Sequence, residues 1–272
     1  IESILIWIDG HRDPTPVFIE HNLYGTVGGF TLQRFWPIPF AVLLVILNGS
    51  TDTNLPNWWP IFISPNLSLE NITLQLTVVI AALGYGDIAI TSSPRQKSKK
   101  SSLRLAGYSI VLLILAGISS YVYAFKYIAA IFAPVAHEGL ILYSQKEEKS
   151  KRPMYKKYYR GLTVLDVKKN SVAEKMGISP GFVLLKVNDY HINEKGDLLY
   201  VLRQRPSHLQ IEGLDEHGRK IVLQYRDILN GIGSLGAIII PHSSSFVVAT
   251  GENVSIFGKM FKKIFKRNKI KR

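Results

Sequence analysis

A multi-pass helical membrane region, then a small α+β domain and a basic amphipathic C-terminal helix, is the fold class that three features of the sequence predict. Hydrophobic residues make up 47% of the 272 positions and charged residues only 19%, yet the formal net charge is +13, a combination foreign to an ordinary soluble enzyme. The chain is also divided: it is apolar up to about Tyr143 and lysine-rich from Lys146. From Arg160 the pattern becomes short alternating runs separated by turn residues, the mark of a folded aqueous domain. These changes place a membrane region at 1–145, a basic linker at 146–159, the folded domain at 160–228, and an apolar segment with a basic tail at 229–272. Cysteine is absent, which excludes disulfides, zinc–thiolate sites and thiol nucleophiles. The chain opens at Ile1 inside an apolar stretch, so more membrane segments are expected upstream.

Crossing about 30 Å of hydrocarbon takes about 20 apolar residues. Residues 35–47 (FWPIPFAVLLVIL) form the first apolar run, short and with Pro37 and Pro39 in its first turn, where proline is tolerated. Residues 74–90 (LQLTVVIAALGYGDIAI) form the second, with Asp87 near its end. The stretch 105–143, broken by Lys126, reads as two helices over 105–123 and 127–143, which gives about four membrane helices. Arg95, Lys97, Lys99, Lys100 and Arg104 fill one connecting loop, whereas residues 48–71 hold no lysine or arginine and carry Trp58 and Trp59. By the positive-inside rule the basic loop is cytoplasmic and the Trp-bearing segment external, with its sequons at Asn48, Asn66 and Asn71. The chain then returns to the cytoplasm at Lys146 of a multi-pass protein in the plasma membrane. Asp87 reads as a carboxylate near the cytoplasmic interface paired with Arg95 or Lys97. His137 and Glu138 match the start of the zinc-protease signature H-E-x-x-H, but Ile141 stands at the second histidine, so no metal or other cofactor is expected and the pair reads as a helix-interface contact.

In the folded domain, GLTVLDV (161–167) alternates as a strand, and SVAEKMG (171–177) is a short helix with Ser171 as cap and Glu174 completing a capping box. FVLLKV (182–187) is a buried strand, DLLYVLRQR (197–205) an amphipathic helix stopped by Pro206, and HLQIEGL and KIVLQYR form a hairpin about DEHG. The region 229–253 is apolar and glycine-rich but interrupted by Pro241 and His242; it reads as an extra extended or loop segment packed on the domain. From Val254, Phe257, Met260, Phe261, Ile264 and Phe265 recur at helical spacing among Lys259, Lys262, Lys263, Lys266 and Arg267. Such a helix suits an anionic lipid surface, with lipid favoured over nucleic acid as its partner.

Residues 160–227 resemble a bacterial PDZ domain: Ser171-Val172-Ala173, Met176-Gly177-Ile178, Gly181-Phe182 and Val187-Asn188-Asp189 fall in the family's order, with Phe182 and Asp189 departing from its commonest residues. The resemblance implies a peptide groove beside the helix at 197–205, with Gly161, Leu162, Val164, Tyr200, Val201 and Gln204 as its residues, and protein or peptide partners. It also implies a glycine-rich, carboxylate-binding loop and a strand ahead of Gly161. KRPMYKKYY stands there instead, so either residues 154–159 supply the strand or the groove is degenerate. Together with GHRDPTPVF and GGFTLQRFWPIPF near the N-terminus, the whole resembles MinJ-type division-site determinants and related clostridial PDZ membrane proteins. This implies a non-enzymatic adaptor in division-site or cell-pole organisation. The alternatives are an inactive or regulatory relative of PDZ-containing intramembrane proteases and a transporter dependent on Asp87 or Glu138.

Overall fold

The computed structural model describes residues 1–21, 23–47 and 72–241. A short helix α1 (Glu2–Asp9) leads into β1 (Thr15–His21), β2 (Gly25–Leu47) and β3 (Ile72–Ala89), an antiparallel sheet in that order. Two long helices follow, α2 (Pro94–Ser119) and α3 (Ala124–Ser150). A two-residue strand β4 (Tyr155–Lys156) then leads to β5 (Leu162–Val167), α4 (Val172–Lys175), β6 (Val183–Val187), β7 (Tyr190–His191), α5 (Lys195–Arg203), β8 (His208–Leu214), β9 (Lys220–Arg226) and β10 (Ala237–Ile239).

The first two expected membrane helices are corrected: 35–47 and 74–90 lie in strands, paired from Phe30↔Ala89 to Leu47↔Ile72. Apolar length does not separate a helix from a strand, and these runs are rich in Val, Ile, Thr and Phe, which fit a pleated surface. Pro37 and Pro39, two residues apart, belong on a strand edge, where a missing N–H costs no ladder bond. Beyond Thr31 the outer edge of β2 is unpaired among the described residues, as is that of β3. Hydrocarbon does not tolerate such edges where they face lipid.

Two described helices are long and apolar enough to cross a membrane, α2 and α3, of 26 and 27 residues. Each is about 40 Å long. Their apolar side chains, among them Leu113, Ile114, Ile128 and Ile131, are exposed. The turn between them falls at 120–123, just before the expected Ala124–Lys126, and α2 takes in the basic loop from Pro94, where Ser93 and Gln96 form a capping box. Likewise α3 runs on through Lys146 and Lys149.

The charged ends of the pair are tied to the sheet. Lys97, 1% exposed, donates to Ser144 Oγ (2.8 Å) and Glu148 Oε1 (3.0 Å) and lies 3.4 Å from Asp87 Oδ1. Of the two partners expected for Asp87, it is Lys97 that the fold supplies. Glu148 Oε2 accepts from the amides of Ile90 and Thr91, both at 2.8 Å, so the end of α3 caps the end of β3. Beside them Glu147 is held by Lys100, Arg104 and Lys151.

The C-terminal sheet runs β10-β5-β6-β8-β9. Leu162, Val164, Phe182, Leu184, Leu198 and Val201 share its core with Ile232 and Leu235, which come from beyond β9. Each fully buried Leu, Ile or Val contributes about 1.5–3 kcal/mol. On the other face, Leu165 and Ile240 pack with Phe30, Ala89 and Tyr155, Ile238 lies against this cluster, and β10 is held between two cores. Tyr155 meets Phe30 edge to face at 5.6 Å between ring centroids.

Candidate functional site

Two edges of the C-terminal sheet are unpaired among the described residues, and the one on β10 lies beside a glycine-rich loop. β10 pairs with β5 from Ala237↔Val167 to Ile239↔Val164, with the irregularity between Ile238 and Ile239. The carbonyl of Gly236 accepts from Lys168 N (2.8 Å) and the amide of Ile240 donates to Thr163 O (3.0 Å). Because strand groups alternate, the backbone groups of Ala237 and Ile239 face away from β5, toward the open edge. An extended peptide can add there as a further strand.

The loop entering β10 is fixed at one end of α5. Ile232 N donates to Pro206 O (3.0 Å), and a Cβ on Gly231 would stand 2.6 Å from Arg205 O. At its other end Leu235 O accepts from Ala173 N (2.9 Å). Gly236 has φ +75, and a Cβ there would lie 2.3 Å from Ser171 Cβ, so only glycine fits this corner. The amides of Gly233, Ser234, Leu235 and Gly236 donate to no acceptor among the described residues. The Arg205 Nε lies 3.6 Å from the Cβ position of Gly233. Amides without an internal acceptor near a guanidinium are groups that can take a carboxylate.

The residues named from the sequence separate. Leu162, Val164 and Val201 are core side chains, and Gly161 is buried with φ +101. Tyr200 is exposed and meets Tyr190 of β7 edge to face at 6.2 Å, while Gln204 caps α5. Phe257, Phe261, Phe265, Lys259, Lys262, Lys263, Lys266 and Arg267 lie outside the described residues, as do the sequons and Trp58 and Trp59. Of the two alternatives ahead of Gly161, supply of the strand by residues 154–159 is corrected: Tyr155 and Lys156 pair with Gly28 and Val27 of β2, not with β5. Residues 237–239 take that place, supplied from the C-terminal side, and with them come Leu235, Gly236 and Arg205, which sequence reasoning missed. The signal present was the run GSLGAIII after β9: small residues, then a β-branched strand. His137, exposed on α3, packs against Tyr108 at 5.9 Å, and among the described residues no cluster of three potential ligands gathers for a metal.

The strand order, the single long helix and the open strand with its loop make the C-terminal region β-rich and PDZ-like. No family model matches the chain. It is similar to the cell division topological determinant MinJ of Bacillus subtilis, 21% identical over 218 residues, which are 80% of this chain and 53% of that protein. The chain thus spans about half the length of this relative. A solved PDZ domain, from the SdrC-like protein of Listeria monocytogenes, matches 31% of this chain and 92% of its own at 13% identity, with a TM-score of 0.26.

Proposed function

We propose that the chain is a membrane-anchored adaptor in which α2 and α3 cross the bilayer and the PDZ-like region binds the C-terminus of a partner protein along β10. The observation that carries this reading is that, among the described residues, the edge of Ala237 and Ile239 is unpaired and follows a loop of four unused amides that passes Arg205 at Gly233. The peptide lies antiparallel to β10, its terminal carboxylate on the loop at 233–236 and its side chains toward α5. The start of α2 and the end of α3 lie together and carry Lys97, Lys100, Arg104, Lys146, Lys149 and Lys151. Such a cluster marks the cytoplasmic side, where the PDZ-like region then works. The similarity to MinJ supports a place in cell division, and no residue is given a catalytic role.

The test is binding of the detergent-solubilised chain to an array of bacterial C-terminal peptides, each as free acid and as amide. The free acids are expected to bind at least tenfold better, and Ala237→Pro, which removes an outward amide, to abolish the difference. Equal binding of acids and amides sinks the reading.

A further inference from the structure

Between the sheet and the helical pair lies a cavity of about 570 Å³, large enough for much of a small ligand. Its walls are graded. On α3 the lining residues Leu140, Ile141, Ser144 and Glu148 fall on one helical stripe that passes from apolar to polar, with His137 one turn beyond Ile141. On α2, Leu105 and then Arg104 and Ser101 repeat the same order.

The height of the cavity is fixed by the pairing of the two helices. Tyr108 donates to Ala133 O (2.9 Å), and Arg104 packs over Tyr143 and bonds Glu147. Arg104 is the last charged residue of α2, and only apolar and small neutral residues with Tyr108 follow it to Ser119. If α2 and α3 cross the bilayer, Arg104 therefore stands at head-group depth, with Leu105, Leu140 and Ile141 at the start of the acyl region.

The charged residues of the wall are Arg104 and Lys149 against Glu2, Asp87 and Glu148. Lys97, behind the wall, holds Asp87 and Glu148. Arg104 uses Nη2 on Glu147 (2.6 Å), whereas its Nη1 is buried with no partner among the described residues. A buried guanidinium N–H left unpaired is costly, and Asp87, Glu147 and Glu148 already hold lysines.

We propose that this cavity is a binding site for one anionic phospholipid, its phosphate on Arg104 Nη1 and one acyl chain against Leu105, Leu140 and Ile141. The proposal rests on the membrane-crossing reading of α2 and α3 and not on the peptide groove. The lipid fills a space that otherwise separates the sheet from the helices.

The experiment is native mass spectrometry of the full chain released from nanodiscs of phosphatidylglycerol mixed equally with phosphatidylcholine. One phosphatidylglycerol per chain is expected to remain, favoured at least fivefold over phosphatidylcholine. Leu140→Trp, which fills the cavity from α3, abolishes retention, and Leu105→Trp does the same from α2 if the first variant does not fold. Arg104→Gln removes the head-group preference. Retention without preference, or undiminished retention in both folded tryptophan variants, overturns the proposal, as does displacement of the lipid by millimolar inorganic phosphate. Extraction of the chain from membranes by alkaline carbonate refutes the crossing helices themselves, whereas a chain that stays in the membrane and retains no lipid refutes the cavity alone.

Discussion

Lys97 and Glu148 are two buried charges whose value depends on each other. Removing one partner of such a pair costs about 3–5 kcal/mol, because the other is left buried and unmatched. Glu148 also accepts from Ile90, Thr91 and the Thr91 hydroxyl, so Glu148→Ala exposes the end of β3 as well. We expect Glu148→Ala and Lys97→Met each to lower stability by about 3–5 kcal/mol in thermal unfolding of the detergent-solubilised chain; a loss below about 1 kcal/mol contradicts the clamp. Asp87 beside Lys97 was legible because a carboxylate near a basic run seeks one of its members. Glu148 was not, since its partner Lys97 is 51 positions away and nothing local singles it out from Glu147.

At the scale of elements, legibility followed periodicity. GLTVLDV, FVLLKV, HLQIEGL and KIVLQYR each hold strands where alternation or a buried run placed them, and the cap at Ser171 opens α4 through a bond from Glu174 N (3.3 Å). The apolar runs at 35–47 and 74–90 were not legible as strands, because an unbroken apolar run has no period that separates a strand from a helix. Their assignment to strands can be checked in a chain that has no cysteine of its own. Ile38 and Ala81 are cross-strand partners, and partners of this kind lie within disulfide reach. The double variant Ile38→Cys with Ala81→Cys should oxidise to near completion in membranes, while Ile38→Cys with Leu76→Cys, five residues out of register on β3, should stay largely reduced. The reverse result restores the helices. The displaced strand β10 was illegible for another reason: pairing partners are set by the whole sheet, so a strand read as missing before Gly161 arrived from residues 237–239.

On the scale of the whole molecule, the PDZ-like region is docked on the N-terminal sheet, and the fit depends on a residue without a side chain. Gly28 pairs with Phe18 in β1 and Tyr155 in β4, and a Cβ there would lie 2.5 Å from Leu165 Cδ1 and 3.1 Å from Ile240 Cδ1. Leu165 is fully buried, so it cannot swing aside without displacing Tyr155 or Ile240. Overpacking of this kind costs about 1–3 kcal/mol, and here the least costly relief is separation of the two sheets, since each retains its own ladder. Gly28→Leu is therefore expected to leave the circular dichroism spectrum unchanged but to speed tryptic cleavage at Lys156 and Lys157 about tenfold, because the segment joining the sheets opens with the interface. Leu165→Ala alone leaves a cavity in the same place, yet combined with Gly28→Leu it makes room for the added side chain. The two substitutions should then be far less damaging together than their separate effects sum to, the sign of direct contact between neighbours. Additive effects on cleavage place Gly28 and Leu165 in separate cores and remove the link between the N-terminal sheet and β10.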